Sequence, residues 1–203
     1  MTAPTPSLVV LASTSASRNA LLRAAGVTFD AMAPGVDEDA AKAALVGDGA
    51  TPRDVADALA ELKAVRVSRR APGALVIGAD QTLDLDGQLI DKAADVEEAR
   101  QRLRTLRGRS HKLHAGVVVA QDGEPIWREV ATSTLRMRDI SDAFLDDYLA
   151  RQGEKVLSSV GCYHLEGEGV QLFDRVDGDY FGILGLPLIG VLDLLRRHGA
   201  LPI

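Results

Sequence analysis

The feature that most constrains this chain lies near its start. The apolar run at residues 7–12 (SLVVLA) passes through Ser13, Thr14 and Ser15 directly into a helical pattern over residues 15–25, which Gly26 stops. A buried strand that enters a helix through small hydroxyl residues gathers free backbone N–H groups and the positive end of a helix dipole at one spot. That spot suits an anion. The same alternation continues downstream. Residues 36–46 form a short helix opening on Asp37-Glu38-Asp39. Thr51 caps a strong helix with Pro52 at its first position and Asp54 at its third, running through Val55, Leu59, Leu62 and Val65 to the basic cluster at 66–70. Residues 74–77 (ALVI) read as a short buried strand ending just before Asp80, and 83–90 as a hairpin turning at Asp86-Gly87. Asp95 to Glu98 reads as a capping box that opens a helix to Leu106. Residues 113–120 and 126–137 are two antiparallel strands. Ser141 caps a helix to Leu149, 172–176 is a strand, and 188–197 is an amphipathic helix. The expected fold is α/β, a mixed twisted sheet flanked by helices in one domain over residues 1–203, with its ligand at strand ends.

Composition removes several classes. A chain of 203 residues with 46% hydrophobic and 26% charged residues is neither disordered nor fibrous, and it is long enough to bury a core. Aromatic residues make up only 4%, too few for a stacking platform under single-stranded nucleic acid. The net charge of −6 argues against a nucleic-acid polymer as partner, so an anionic ligand has to meet a local cluster of Lys and Arg. The lone Cys162 fits a reducing compartment. The opening residues lack basic side chains, their apolar run is too short for a signal peptide, and no stretch reaches the ~18 apolar residues of a membrane span. A cytoplasmic protein is expected.

Four segments concentrate polar residues where packing does not require them. In Ser13-Thr14-Ser15-Ala16-Ser17-Arg18 one serine is explained by capping a helix. Three hydroxyls and a guanidinium in a first turn suit phosphate better. Asp80-Gln81 follows a buried strand, where a carboxylate is partly desolvated and its pKa tends to rise unless a cation or metal offsets it; the plainer alternative is that Asp80 caps a turn. Lys63 and Lys92 read singly as solvated charges, although Lys92 follows a hairpin that could return it to Asp80. Residues 151–169 form an aperiodic loop rich in small and hydroxyl residues, with or without a role of its own. His111 and His114 point to opposite faces of their strand and are not expected to share a metal, and Cys162 reads as an ordinary buried or loop thiol. The residues alone describe an anion-binding α/β hydrolase in which a metal could assist.

In order along the chain, LASTSASRNALL, Val36-Asp37-Glu38, LAELKA, GADQT, IDK, LRGRSHKLHAGV and VDGDYFGILGLPL resemble the motifs of the Maf family of nucleoside triphosphate pyrophosphatases. The resemblance implies a Maf/ITPase-like fold of two lobes around a central cleft, often as a homodimer. It implies hydrolysis between the α and β phosphates of a nucleoside triphosphate substrate, a house-cleaning activity. By position, Asp80 would be the base that activates water. Ser13, Arg18, Lys63 and Lys92 would contact phosphates, and Glu38, Asp80 and Glu154 would hold a divalent cation, Mg²⁺ or Mn²⁺. The loop Ser158-Ser159-Val160-Gly161-Cys162-Tyr163-His164-Leu165-Glu166-Gly167 departs from the dTTP/UTP members, which carry Lys and Gln where this chain has Ser159 and Glu166. In that respect it is similar to the 7-methyl-GTP branch. A carboxylate at Glu166 can accept from the N–H edge of guanine and favours a cationic methylated ring. Ser17, Gln81 and Glu166 are therefore the expected specificity positions. The alternatives are a dTTP/UTP pyrophosphatase and a non-catalytic nucleotide-binding regulator of septum formation, since the family is also linked to cell division.

Overall fold

The computed structural model describes residues 8–202; Ser7, where the first strand was expected to begin, and the opening residues before it lie outside them. The elements in order are β1 (Val9–Ala12), α1 (Ala16–Ala24), β2 (Asp30–Ala31), α2 (Glu38–Gly47), α3 (Pro52–Ser68), β3 (Leu75–Leu85), β4 (Gln88–Ile90), α4 (Val96–Leu106), β5 (Ser110–Gln121), β6 (Glu124–Met137), α5 (Asp142–Gln152), β7 (Phe173–Asp177), α6 (Tyr180–Ile183) and α7 (Leu188–Arg197). Two 3₁₀ turns, Gly153–Ser158 and Glu168–Leu172, bracket the loop between α5 and β7. The strands form one mixed sheet ordered β2-β1-β3-β5-β6-β7, with β4 also paired to β3. β1 runs parallel to β2 and β3, whereas β4 and β5 run antiparallel to β3. No helix among the described residues is long and apolar enough to cross a membrane.

The central strand departs from expectation. Rather than stopping near Ile77, β3 continues for 11 residues, so Asp80 lies in mid-strand and the expected hairpin is the far end of the same strand. The reason is non-local: β5 pairs with β3 continuously from Val76 to Asp84, and this carries the strand across the polar residues where the apolar run breaks. The helix starts also need one correction. The full capping box is at Thr51, whose hydroxyl accepts from the Asp54 N–H while the Asp54 carboxylate accepts from the Thr51 N–H. At α4, Asp95 accepts from the Glu98 N–H, but Glu98 reaches Ala94 instead of the cap residue.

The core falls into two main clusters, one on β1, α1, α7 and the upper part of β3 (Leu75, Ile77, Ala79), the other on α4, α5 and its lower part (Leu83, Leu85). They part along β3 between Ala79 and Leu83. On the same edge of β3, pairing with β1 ends at Gly78 and pairing with β4 begins at Leu83. The four residues Ala79–Thr82 therefore face an opening in the sheet edge, and the cleft lies there.

Candidate active site

Alternation along β3 sorts its side chains, because successive residues point to opposite faces. The even-numbered residues face α3: a Cβ at Gly78 would lie 2.3 Å from the Ala60 carbonyl oxygen, and the Thr82 hydroxyl donates to the Pro52 carbonyl at 2.7 Å. Asp80 shares that face. A Cβ at Gly116, on β5, would lie 2.6 Å from the Ala56 carbonyl oxygen, so α3 rests backbone-on-backbone against two strands. This contact brings Lys63 of α3 over Asp80. Lys63 Nζ lies 2.6 Å from Asp80 Oδ1 and 2.8 Å from Glu38 Oε2, the latter at the start of α2. With only 5% of its side chain exposed, Lys63 is not a solvated charge. Its ammonium is compensated by two carboxylates, as a buried charge has to be.

The α1 end of the cleft gathers Ser13, Ser15 and Arg18. Ser15 caps α1 by accepting from the Arg18 N–H, and Ser13 Oγ accepts from the Ser15 N–H at 3.2 Å. Arg18 is anchored through Nε to the Gly185 carbonyl at 2.8 Å and through a terminal nitrogen to Ser13 Oγ at 3.4 Å. Burial pulls the Arg18 guanidinium below its ordinary pKa, against the opposing pull of the Asp80 and Glu38 carboxylates.

The cleft has a volume of about 1020 Å³ and is lined by Ser13, Ser17, Arg18, Glu38, Lys63, Asp80, Gln81, Lys92 and Glu166, among others. Nine of the ten expected site residues thus meet in one space, with Lys92 exposed on its wall just beyond β4. The exception is Glu154. It is exposed on the 3₁₀ turn after α5 and does not line the cleft, which corrects its expected place beside Glu38 and Asp80.

Among the described residues no three His, Cys, Asp or Glu side chains cluster closely enough to cage a cation. Magnesium, however, is commonly held by one or two carboxylates plus substrate phosphates and water, without a full protein cage. Glu38 and Asp80 fit that habit, and Glu154 does not join them.

Gln81 lines the cleft from the other face of β3, where its amide nitrogen donates to the carbonyls of Gly182 and Ile183, both at 2.9 Å. Both N–H donors are spent on tying the α6 segment to the sheet, which leaves the carbonyl oxygen as its free polar atom. Glu166 is exposed at the loop end of the cleft, and its neighbour Glu168 is bound away to Arg151 at 2.8 Å. His111 is buried, with Nε2 2.6 Å from the Tyr163 hydroxyl and Nδ1 unpaired; burial lowers its pKa to about 4. His114, on the opposite face, bonds Thr132 and Asp84. Cys162 is fully buried, and burial pushes its thiol up to about 11.

Lys42, Tyr163 and His164 also line the cleft and were not singled out from the sequence. Lys42 pairs with Asp91 on the facing wall. A sequence signal existed for it, because Glu38 and Lys42 are four residues apart and share one side of a helix.

A mixed sheet whose open edge presents a buried Lys–Asp pair, a helix N-terminus and an anchored arginine defines an α/β protein with its cations and carboxylates gathered in one cleft. The chain belongs to the Maf family: the family described as Maf-like protein matches residues 8–198. It is 64% identical over 195 residues to a protein of Caulobacter vibrioides named nucleoside triphosphate pyrophosphatase, covering 96% of this chain and 98% of that one. It is 50% identical over 194 residues to a 7-methyl-GTP pyrophosphatase of Rhizobium meliloti, covering 96% and 98%. A 7-methyl-GTP pyrophosphatase of Brucella abortus is 49% identical over 190 residues, covering 94% and 96%.

Proposed function

We propose that this protein is a nucleoside triphosphate pyrophosphatase that cleaves the α–β phosphoanhydride to give a monophosphate and diphosphate, with 7-methyl-GTP or a similarly modified nucleotide as substrate. The observation that carries this reading is the buried Lys63–Asp80 pair at the floor of a cleft whose walls hold Ser13, Arg18 and Lys92. A binding module has no need of a carboxylate sunk among phosphate-binding cations, because such a group repels the ligand. A hydrolase needs one to take a proton from the attacking water.

In this mechanism Arg18, held by Gly185 and Ser13, and the N-terminus of α1 receive phosphate oxygens. Lys63 neutralises charge next to the reacting phosphoryl group, and Lys92 does so from the wall. Asp80 orients water and accepts its proton, with Lys63 fixing the carboxylate in place. A divalent cation, Mg²⁺ or Mn²⁺, held by Glu38 and Asp80 with substrate oxygens would neutralise phosphate charge when bound. Glu166 and Ser17 contribute to choice of base at the other end. A homodimer belongs to the same reading and is tested by light scattering.

The test is pyrophosphate release from canonical and methylated nucleoside triphosphates with Mg²⁺ or Mn²⁺, alongside Asp80→Asn. Turnover of 7-methyl-GTP that Asp80→Asn abolishes is expected. Turnover confined to dTTP and UTP would keep the chemistry and overturn the assignment of base. A wild-type protein that releases nothing from any nucleotide would overturn the enzyme in favour of the septum regulator.

A further inference from the structure

The loop end of the cleft carries a hydrogen-bond pair whose proton count can be settled. Ser158 Oγ lies 2.8 Å from the Lys155 carbonyl oxygen and 2.9 Å from His164 Nε2. A carbonyl can only accept, and a hydroxyl has one hydrogen. That hydrogen therefore belongs to the Lys155 contact, since otherwise two acceptors would face each other at 2.8 Å. His164 Nε2 must then donate to Ser158, which in the neutral ring leaves Nδ1 as a bare acceptor. Nδ1 has no partner among the described residues and is not sealed from solvent. His164 lines the cleft on the same loop as Glu166, and its carbonyl is held by the Gly167 N–H at 3.2 Å, so the turn that carries it is fixed.

We infer that His164 is a base-selecting residue whose Nδ1, with its tautomer set by Ser158, joins the Glu166 carboxylate as a second acceptor for the base edge. This rests on the nucleotide reading above and deepens it. Two acceptors at one end of a cleft match a base that presents two adjacent donors. Guanine does so with N1–H and its 2-amino group. Uracil and thymine place a single N–H between two carbonyl oxygens, which an acceptor pair opposes, and adenine sets an acceptor beside its amino group. A pyrimidine seated against the pair would leave one acceptor facing a carbonyl oxygen, and unmade bonds of that kind discriminate between bases.

The experiment compares wild type, His164→Ala and His164→Gln in turnover of 7-methyl-GTP, GTP and UTP, together with direct titration of GMP and UMP, which requires no turnover. His164→Ala is expected to lower the GTP:UTP ratio of kcat/KM and the GMP:UMP affinity ratio about tenfold, mostly through KM. His164→Gln, whose amide oxygen can accept, should recover part of that loss. Equal losses on both bases would make His164 structural, and unchanged ratios would remove it from base selection; either result overturns the inference. An inactive wild type whose GMP selectivity still depends on His164 would sink the pyrophosphatase reading and keep this one.

Discussion

Lys63 and Asp80 meet at 2.6 Å in a nearly solvent-free contact, and each is the other's main compensation for burial. Cutting one member of such a pair strands the other. Lys63→Met is expected to cost about 3–5 kcal/mol of stability. The double variant Lys63→Met/Asp80→Asn should recover much of that while remaining inactive. Urea unfolding beside pyrophosphate release checks both. A double variant no more stable than Lys63→Met would show that the single loss is not one of stranded charge.

The glycines under α3 set where Lys63 stands. A Cβ at Gly78 would sit 2.5 Å from the Ala64 backbone nitrogen, so Gly78→Ala has to push the helix outward. Overpacking of this kind costs about 1–3 kcal/mol. A shift of the helix by a fraction of an ångström also misplaces the ammonium over Asp80, and a misplacement of about 1 Å can cost on the order of 100-fold in rate. Gly78→Ala protein that is folded at 20 °C but turns over nucleotides at the wild-type rate would refute this.

Gln81 is expected to behave as a tether. Gln81→Ala frees the carbonyls of Gly182 and Ile183 and loosens the segment whose Gly185 anchors Arg18. Activity should fall on every nucleotide by a similar factor. A selective loss on one base would return Gln81 to the specificity set.

Glu166→Gln replaces an acceptor-only group with one that also donates, so preference should move from guanine nucleotides toward UTP and dTTP. The ratio of kcat/KM values across the two classes reads this directly. An unchanged profile would place base selection elsewhere in the cleft.

Acid stability should carry the mark of His111. Its folded pKa of about 4 lies below the ordinary 6.5, so the folded state prefers the neutral ring. Between those values the unfolded chain binds a proton that the native protein refuses. The stabilisation is whole above pH 6.5 and drains away as pH falls toward 4, by on the order of 3 kcal/mol. Unfolding free energies at several pH values should therefore show a shallower decline for His111→Gln than for wild type. Parallel curves would remove His111 as the source.

The parts of this architecture that were legible in the sequence are local. The passage from β1 through Ser13–Ser15 into α1, the Thr51 cap and the turn at Asp86-Gly87 are fixed by neighbouring residues, and the structure has them where the pattern put them. Asp80 was readable as a site residue but not as a mid-strand one, because pairing with β5 holds the strand open across it. The tether from Gln81 to Gly182 spans 101 residues, and no spacing rule reaches that far. Glu154 came from the resemblance by position alone, and no local pattern in the sequence says which way its turn faces.

The contact of Gly78 and Gly116 with α3 has a wider consequence. It sets the Lys63–Asp80 end of the cleft tightly against the body of the sheet, whereas the Glu166 end is carried on the stretch between α5 and β7. A lineage could retune which nucleotide it clears by substitutions confined to that stretch. The hydrolytic floor would pass unchanged from one substrate to the next.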